Sequence, residues 1–227
     1  SDPITSTDET VYLARSDDGV WTAAEALSPD EKNPLRGGRL RAAWNHGITL
    51  VVGTSGTEDD TSWNRARARQ DAERWWYRGN GLVEIVDDVD FDPSIEPDRG
   101  LMLYGNRDTN AAWNAMLGNS PVQVDRDKVV IGDRTLRGDL AVAFARPRPG
   151  SDVASVATIT GTAGTGERST ATMPLFFSGV GWPDWFVVEP SSLSIGDEGI
   201  IGLGFFGNDF TLDPSQSAWR DRVTSVQ

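Results

Sequence analysis

The sequence predicts an α/β fold: a doubly wound, mostly parallel sheet of flavodoxin-like or Rossmann-like type with an N-terminal β-hairpin arm. One observation is the apolar run ITLVV at residues 48–52, typical of a strand buried on both faces of a parallel sheet. A second is the glycine-containing loop and capped helix that follow, ending at Gly79. A third is repetition, since GTSGT at 53–57 is matched by GTAGT at 161–165. Strands alternating with helices indicate parallel βαβ units.

Length and charge restrict the class of protein. A chain of 227 residues with 38% hydrophobic content predicts a single α/β domain over 35–227, preceded by an arm and linker over 1–34. Because no apolar run approaches the roughly 18 residues of a membrane span, no membrane insertion is expected. A net charge of −13 disfavours nucleic acid as a partner. The absence of cysteine excludes disulfides and thiol catalysis, and no cofactor or metal is predicted.

The N-terminal arm has the pattern of a hairpin. Residues 11–15 and 20–22 flank a Ser-Asp-Asp-Gly turn. A lone hairpin is marginal in water, so we expect it to pair with the edge of this domain or with a preceding domain. Pro29 and Pro34 then mark a linker. Residues 38–45 are expected to form a short helix that leads to the first core strand.

The first helix is expected to carry distinct stripes at helical spacing. One should face the sheet and includes Ala68, Ala72, Trp75 and Trp76; a second should face water and includes Arg67, Asp71, Arg74 and Arg78. A third, formed by Trp63, Ala66 and Tyr77, indicates that the helix is covered on another side. Nine tryptophans are many for this length. They either pack the rim of the domain's own core or line an interface, in which case several of Trp21, Trp44, Trp63 and Trp182 should be exposed.

The remaining elements follow in order. Strands are predicted at 82–86, 101–104, 140–145, 153–160, 185–188 and 200–206, with small strands at 121–124 and 128–131 around a polar turn that continues over 132–138. A helix is expected from Asp108 to Gly118 and a shorter one at 168–177, where Pro174 should kink or end it. Residues from Pro214 onward are predicted to form a tail anchored by Trp219.

A doubly wound sheet gathers the loops that follow the carboxyl ends of its strands at one edge. We expect any ligand to bind there, with Thr54, Ser55, Gly56, Thr57, Asn106, Asp108, Thr109, Arg146, Arg148, Thr162 and Gly164 as the candidate contacts. The Gly-Thr loops could cradle a phosphate. They lack the lysine of a P-loop, however, and four acidic residues would repel the anion: Glu58, Asp59, Asp60 and Glu167. The two arginines could clamp a carboxylate or pair with neighbouring carboxylates of the protein.

No catalytic residue is predicted. The loop at 53–57 approaches the nucleophile elbow G-x-S-x-G but lacks the last glycine. His46 is the only histidine, and it lies at the opposite end of the strand from Ser55, so a serine triad is not expected. Asp88, Asp90 and Asp92 have the spacing of a calcium loop. Since Pro93 and Arg99 stand where that loop needs glycine and glutamate, we interpret this segment as a solvated acidic loop.

Four longer segments carry a family resemblance: DAERWWYRGNG at 71–81, LYGNRDTNAAWNAMLGNSPVQV at 103–124, ARPRPGSDVASVA at 145–157 and GFFGNDF at 204–210. They resemble the C-terminal domain of large bacterial prolyl-oligopeptidase-like proteins of the α/β-hydrolase type. The resemblance implies a secreted or cell-envelope esterase or peptidase whose catalytic machinery belongs to an upstream module.

On that resemblance, this chain is a non-catalytic accessory or interaction domain. Its partner is the preceding hydrolase module or another protein surface. The alternative is a small-molecule-binding or enzymatic Rossmann-like domain with a pocket at the carboxyl edge of the sheet, lined by Thr54, Ser55, Asn106 and Asp108. Whether that edge is a pocket or a filled surface distinguishes the two hypotheses.

Overall fold

A computed structural model describes residues 10–16, 18–26, 28–162, 164–173, 175–176 and 181–220. Within these ranges thirteen strands form three sheets, of two, eight and three strands. The predicted doubly wound α/β fold is wrong, because the chain is mainly β-sheet and only one helix among the described residues is longer than five residues. No helix in this part of the chain is long and apolar enough to cross a membrane.

The strands of the large sheet are β3 (Ile48–Val52), β4 (Glu84–Asp87), β5 (Gly100–Tyr104), β9 (Ala141–Pro147), β10 (Ser155–Gly161), β11 (Trp185–Val188), β12 (Ile200–Phe206) and β13 (Leu212–Trp219). Their order in the sheet is β13-β12-β11-β9-β10-β5-β3-β4. The hairpin arm consists of β1 (Tyr12–Arg15) and β2 (Trp21–Ala24), and the third sheet of β6 (Val122–Val124), β7 (Lys128–Ile131) and β8 (Arg134–Arg137).

The helices are α1 (Glu58–Gly79), α2 (Trp113–Leu117), α3 (Thr165–Arg168) and α4 (Ser192–Ile195), with 3-10 helices at Leu40–Trp44, Ser169–Thr172 and Gly196–Gly199. The helix expected at 168–177 is therefore replaced by shorter turns, and Ala163, Pro174 and Phe177 lie outside the described residues. The polar turn expected at 132–138 contains β8, and the expected C-terminal tail contains β13.

Half of the large sheet is parallel and half is antiparallel. Strands β4, β3, β5 and β10 run parallel, whereas β9, β11, β12 and β13 each pair antiparallel with their neighbours. The segment between β9 and β10 spans residues 148–154, shorter than the dozen or more residues that a parallel crossover requires. The β3-to-β4 connection is the predicted strand, helix and strand unit, through α1. The strands are continuously apolar because both faces of the sheet are covered, and not because all of the strands pair in parallel.

Two apolar cores lie on the two faces of this sheet. One joins Leu50, Met102 and Phe186 to the 3-10 helix Leu40–Trp44 and to α1. The other joins Leu103, Phe144 and Trp185 to α2 and to the β6–β8 sheet.

Helix α1 begins with a capping box at Thr57, whereas the sequence left Asp59, Asp60 and Thr61 as the candidate caps. The Thr57 side chain accepts from the Asp60 amide, and the Asp60 carboxylate accepts from the Thr57 amide at 2.8 Å. The helix ends at Gly79, followed by Asn80 in the left-handed conformation at φ 51°. The expected stripe of exposed charges is partly wrong, because Arg67 and Asp71 are buried.

The buried pair connects α1 to two other parts of the structure. Arg67 Nε donates to Asp71 Oδ2 at 2.8 Å, and its terminal nitrogens donate to the carbonyl oxygens of Thr170 and Met173. The Tyr104 hydroxyl donates to the same carboxylate at 3.1 Å. Burial, together with the Asp71 charge, raises the pKa of Tyr104 well above its usual value of 10. This network attaches α1 both to β5 and to the segment after β10.

Substituting Arg67→Met should lower the free energy of unfolding by about 3 kcal/mol or more, because it removes the cation that is hydrogen-bonded to the buried Asp71 carboxylate and leaves only Arg74, at 4.0 Å. Arg69 lies exposed on the same helix, so Arg69→Met should change it by less than about 0.5 kcal/mol. Urea denaturation of both variants followed by circular dichroism measures the difference. Equal losses in the two variants would contradict the assigned role of the buried pair.

Candidate functional site

Three of the predicted loops meet at the carboxyl edge of the parallel strands. The Gly53 amide donates to Tyr104 O at 2.9 Å, and the Ser55 amide donates to Thr109 O at 3.1 Å. The third loop joins them through Asn106, whose Nδ2 donates to Gly161 O at 3.0 Å. A Cβ atom on Gly53 would come within 2.5 Å of Thr109 O, so glycine is required by the close approach of the two loops.

Asp88 occupies the centre of this edge. Its carboxylate accepts from the Thr54 amide at 2.9 Å, from the Thr54 hydroxyl, from the Ser55 hydroxyl at 3.2 Å and from the Ala111 amide. The side chain is buried, directly after β4. The sequence predicts that Asp88 lies in a solvated acidic loop. The buried carboxylate instead binds the first Gly-Thr loop and the start of the segment leading to α2.

The loop after β5 is held by its own side chains. The Asn106 amide donates to Thr109 Oγ1 at 2.9 Å, and Asn106 Oδ1 accepts from the Asp108 amide at 3.1 Å. Asp108 Oδ2 accepts from the Arg126 amide at 2.9 Å. Asn106 and Thr109 are buried. These polar side chains satisfy one another and the backbone, so this part of the edge is filled by protein.

The threonine of the second Gly-Thr loop is also hydrogen-bonded within the protein. Thr162 Oγ1 donates to Gly138 O at 2.8 Å and accepts from the Leu140 amide at 2.9 Å. Gly164 has φ +75°, a conformation that favours glycine, with no neighbouring atom within 4 Å of an added Cβ. The loop therefore joins β10 to the start of β9 and leads into the four-residue helix α3.

Arg146 and Arg148 lie at the opposite edge, since β9 runs antiparallel to β10. The Arg148 guanidinium is buried and donates to four backbone carbonyls between Pro93 and Arg99. Arg146 donates to Phe210 O and lies 4.7 Å from the ring centroid of Phe206. Burial lowers the pKa of Arg146 to about 10. Both arginines donate hydrogen bonds to backbone carbonyls and lie at the edge opposite the Gly-Thr loops.

Glu167 lies close to Asp60 and Arg126, a cluster that was not predicted from the sequence. Glu167 is buried, and its Oε1 has no hydrogen-bond partner among the described residues. Burial and the nearby Asp60 carboxylate raise the pKa of Glu167 to about 8. Arg126 pairs with Asp60. Burial alone would raise the pKa of Asp60. Hydrogen bonds from Thr57 and the charge of Arg126 outweigh that effect, and the pKa is lowered. The sequence signal was the glutamate that follows each Gly-Thr loop.

The side chains at this edge do not form a nucleophile–base pair. The Ser55 hydroxyl is hydrogen-bonded to Asp88, and His46 Nε2 lies 3.0 Å from Leu35 O at the amino edge. Among the described residues, no group of three or more His, Cys, Asp or Glu could hold a metal ion. Asp92 accepts from the amide and hydroxyl of Ser94, a local turn interaction.

Comparison with models of known protein families finds no match. A search of curated proteins also finds no match. The resemblance to prolyl-oligopeptidase-like proteins therefore depends on the four sequence segments alone, and what it implies stays a proposal.

Substituting Glu167→Gln should stabilise the protein at high pH. Between pH 4.5 and about 8 the folded state holds a proton on this carboxyl that the unfolded state has released, so its contribution to stability decreases as pH rises through this range. Above pH 8 the folded state must bury the charge. We expect the variant to gain a few kcal/mol at pH 8.5, on the order of the linkage for a shift of this size, and little at pH 4.5.

Urea denaturation at the two pH values measures this gain. Glu73→Gln is the matched control because Glu73 is exposed on α1, and it should change the free energy of unfolding by less than about 0.5 kcal/mol at either pH. A Glu167→Gln effect that is the same at both pH values would rule out the buried, protonated carboxyl.

The purified chain should not hydrolyse p-nitrophenyl esters above the buffer rate, because Ser55 and His46 lie at opposite edges of the sheet. Absorbance of released p-nitrophenolate measures the rate. Burst kinetics that disappear in Ser55→Ala would show that this serine is a nucleophile after all.

Proposed function

We propose that this chain is a non-catalytic accessory domain that docks on another protein surface, most simply the upstream module of a prolyl-oligopeptidase-like serine hydrolase. The observation that carries the proposal is the hairpin arm. Every residue of β1 and β2 is exposed, and of these residues Tyr12, 38% exposed, lines a cavity together with Pro34 and Val153 of the domain, so most of this two-stranded sheet is left uncovered by the rest of the described chain.

The arm exposes apolar side chains that a second surface would cover. Trp21 is 55% exposed and Leu13 48% exposed. The two strands pair in register from Tyr12 opposite Ala24 to Arg15 opposite Trp21. A hairpin with so little packed surface is marginally stable in water. Docking would supply the missing hydrophobic contact, and an exposed tryptophan is a common anchor residue in protein interfaces.

A second exposed apolar surface lies where α1 leads into β4. Trp76, Tyr77 and Leu82 are 64%, 81% and 85% exposed. Ile85 follows on β4, which is the edge strand of the large sheet. Exposed apolar residues grouped along one segment favour an interface more strongly than the same residues scattered singly.

The exposed tryptophans differ from those the sequence analysis named. Of the four, Trp21 is exposed, Trp63 and Trp182 are half-buried, and Trp44 is buried. The Trp44 ring packs against Trp75 and Phe176, with ring centroids 5.1 and 4.6 Å away. The arm and the α1–β4 segment therefore support docking, whereas Trp44 belongs to the domain's own core.

The alternative of a ligand site at the carboxyl edge has less support. Thr54, Ser55 and Asn106, expected to line such a pocket, donate to Asp88 or to backbone carbonyls. The Rossmann-like scaffold that motivated the alternative is contradicted by the mixed sheet.

Photo-crosslinking in the full-length hydrolase that carries this domain tests the proposal. With p-benzoylphenylalanine at Trp21, irradiation should produce crosslinks to the hydrolase module, mapped by mass spectrometry. The control places the same group at Thr135, exposed on β8, and should give at least fivefold less of that product. Crosslinks from position 21 that stay within residues of this chain would refute docking through the arm.

A further inference from the structure

We propose that two adjoining cavities around Trp182 form a binding groove for a small amphiphilic anion, a molecule with a carboxylate or phosphate head and an alkyl body. The groove lies away from the carboxyl edge at which the sequence analysis expected a ligand. It is separate from the exposed arm, so this proposal does not depend on the docking function.

The two cavities share a wall. Trp182 lines both cavities. Pro183 lines one of them, which is apolar, and Asp184 lines the other, which is polar. The Trp182 ring stacks on Phe186 at 5.1 Å between centroids, with 20° between the planes. The volumes are about 500 and 560 Å³, in the range of small-molecule sites.

The polar cavity has an excess of positive charge. Lys32, Arg39 and Arg41 line it, and Asp184 is its only carboxylate among the described lining residues. That carboxylate is bound by Lys32 Nζ at 2.6 Å and by the Phe206 amide. Arg39 and Arg41 are exposed and have no ion pair within the described part of the chain.

Two arginines without an ion pair among the described residues lie in one cavity, although the chain has a net charge of −13. Guanidinium groups match carboxylate and phosphate oxygens and can donate to them in pairs. Gly37 lies on the same wall, with no atom within 4 Å of an added Cβ, so the space beside it is open. The head of the ligand is therefore expected beside Arg39 and Arg41.

The apolar cavity is suited to the body of the ligand. Its lining includes Phe186, Val188 and Leu203 from the sheet, together with Met173 and Leu193 from the segments above it. Leu193 is 55% exposed. Covering this surface with an alkyl chain removes apolar area from water, and each buried methylene contributes about a fourfold gain in affinity.

Isothermal titration calorimetry on the purified chain, with ligands below their micellar concentrations, tests the groove. Decanoate should bind at least tenfold more tightly than hexanoate, through its longer body, and at least tenfold more tightly than decanol, through its head. Raising the salt concentration should lower the affinity for decanoate but not the affinity for decanol. Decyl phosphate distinguishes the two possible heads: tighter binding than decanoate assigns a phosphate, and weaker binding assigns a carboxylate.

Variants assign the contacts. Arg39→Gln and Arg41→Gln should each lower the affinity for decanoate at least threefold. Arg69 is exposed on α1, so Arg69→Gln should change that affinity less than twofold. Leu193→Ser should reduce the advantage of decanoate over hexanoate.

The proposal is overturned if neither decanoate nor decyl phosphate binds, or if decanol binds as tightly as both. It is also overturned if the Arg39 and Arg41 variants behave like Arg69→Gln. The salt and chain-length comparisons use the unsubstituted protein, so they decide the matter even where a variant fails to fold.

Discussion

The strands at the centre of the large sheet are apolar on both faces, and covering both faces is the constraint on which the rest of the structure depends. Every residue of β3, β5 and β10 is buried. Helix α1 and the 3-10 helix Leu40–Trp44 cover one face, while α2 and the β6–β8 sheet cover the other. The apolar cavity is lined by β11 and β12, on the antiparallel half. It thus lies over a part of the sheet that no long helix of the described segments covers.

The same packing accounts for how an acidic chain uses its arginines. Arg67 and Arg148 are buried, and each donates to several backbone carbonyls that belong to distant segments. A guanidinium presents five donors in a fixed plane, so one side chain can satisfy several carbonyls that have lost their water. Arginines thereby act as connectors within the fold. Arg39 and Arg41 differ because they face a cavity instead.

The sequence located much of the secondary structure and part of the candidate site. The loops at Gly53 and Asn106 meet as predicted because β3 and β5 are parallel neighbours. Arg146 is displaced to the other edge because β9 reverses direction. Asp88 and Glu167 could not be assigned partners from sequence, since their surroundings come from segments far apart along the chain. Burial of Glu167, and hence its raised pKa, is a property of that assembly.

The sequence by itself determined the apolar strands, the Gly-Thr turns, the capped helix α1 and the N-terminal hairpin, because each depends on residues within a few positions of one another. Only the tertiary structure decided strand direction and order, which side chains fill the carboxyl edge, and where cavities remain. Those properties depend on pairing between distant strands, and an apolar run buried on both faces has the same local pattern whether its neighbour is parallel or antiparallel.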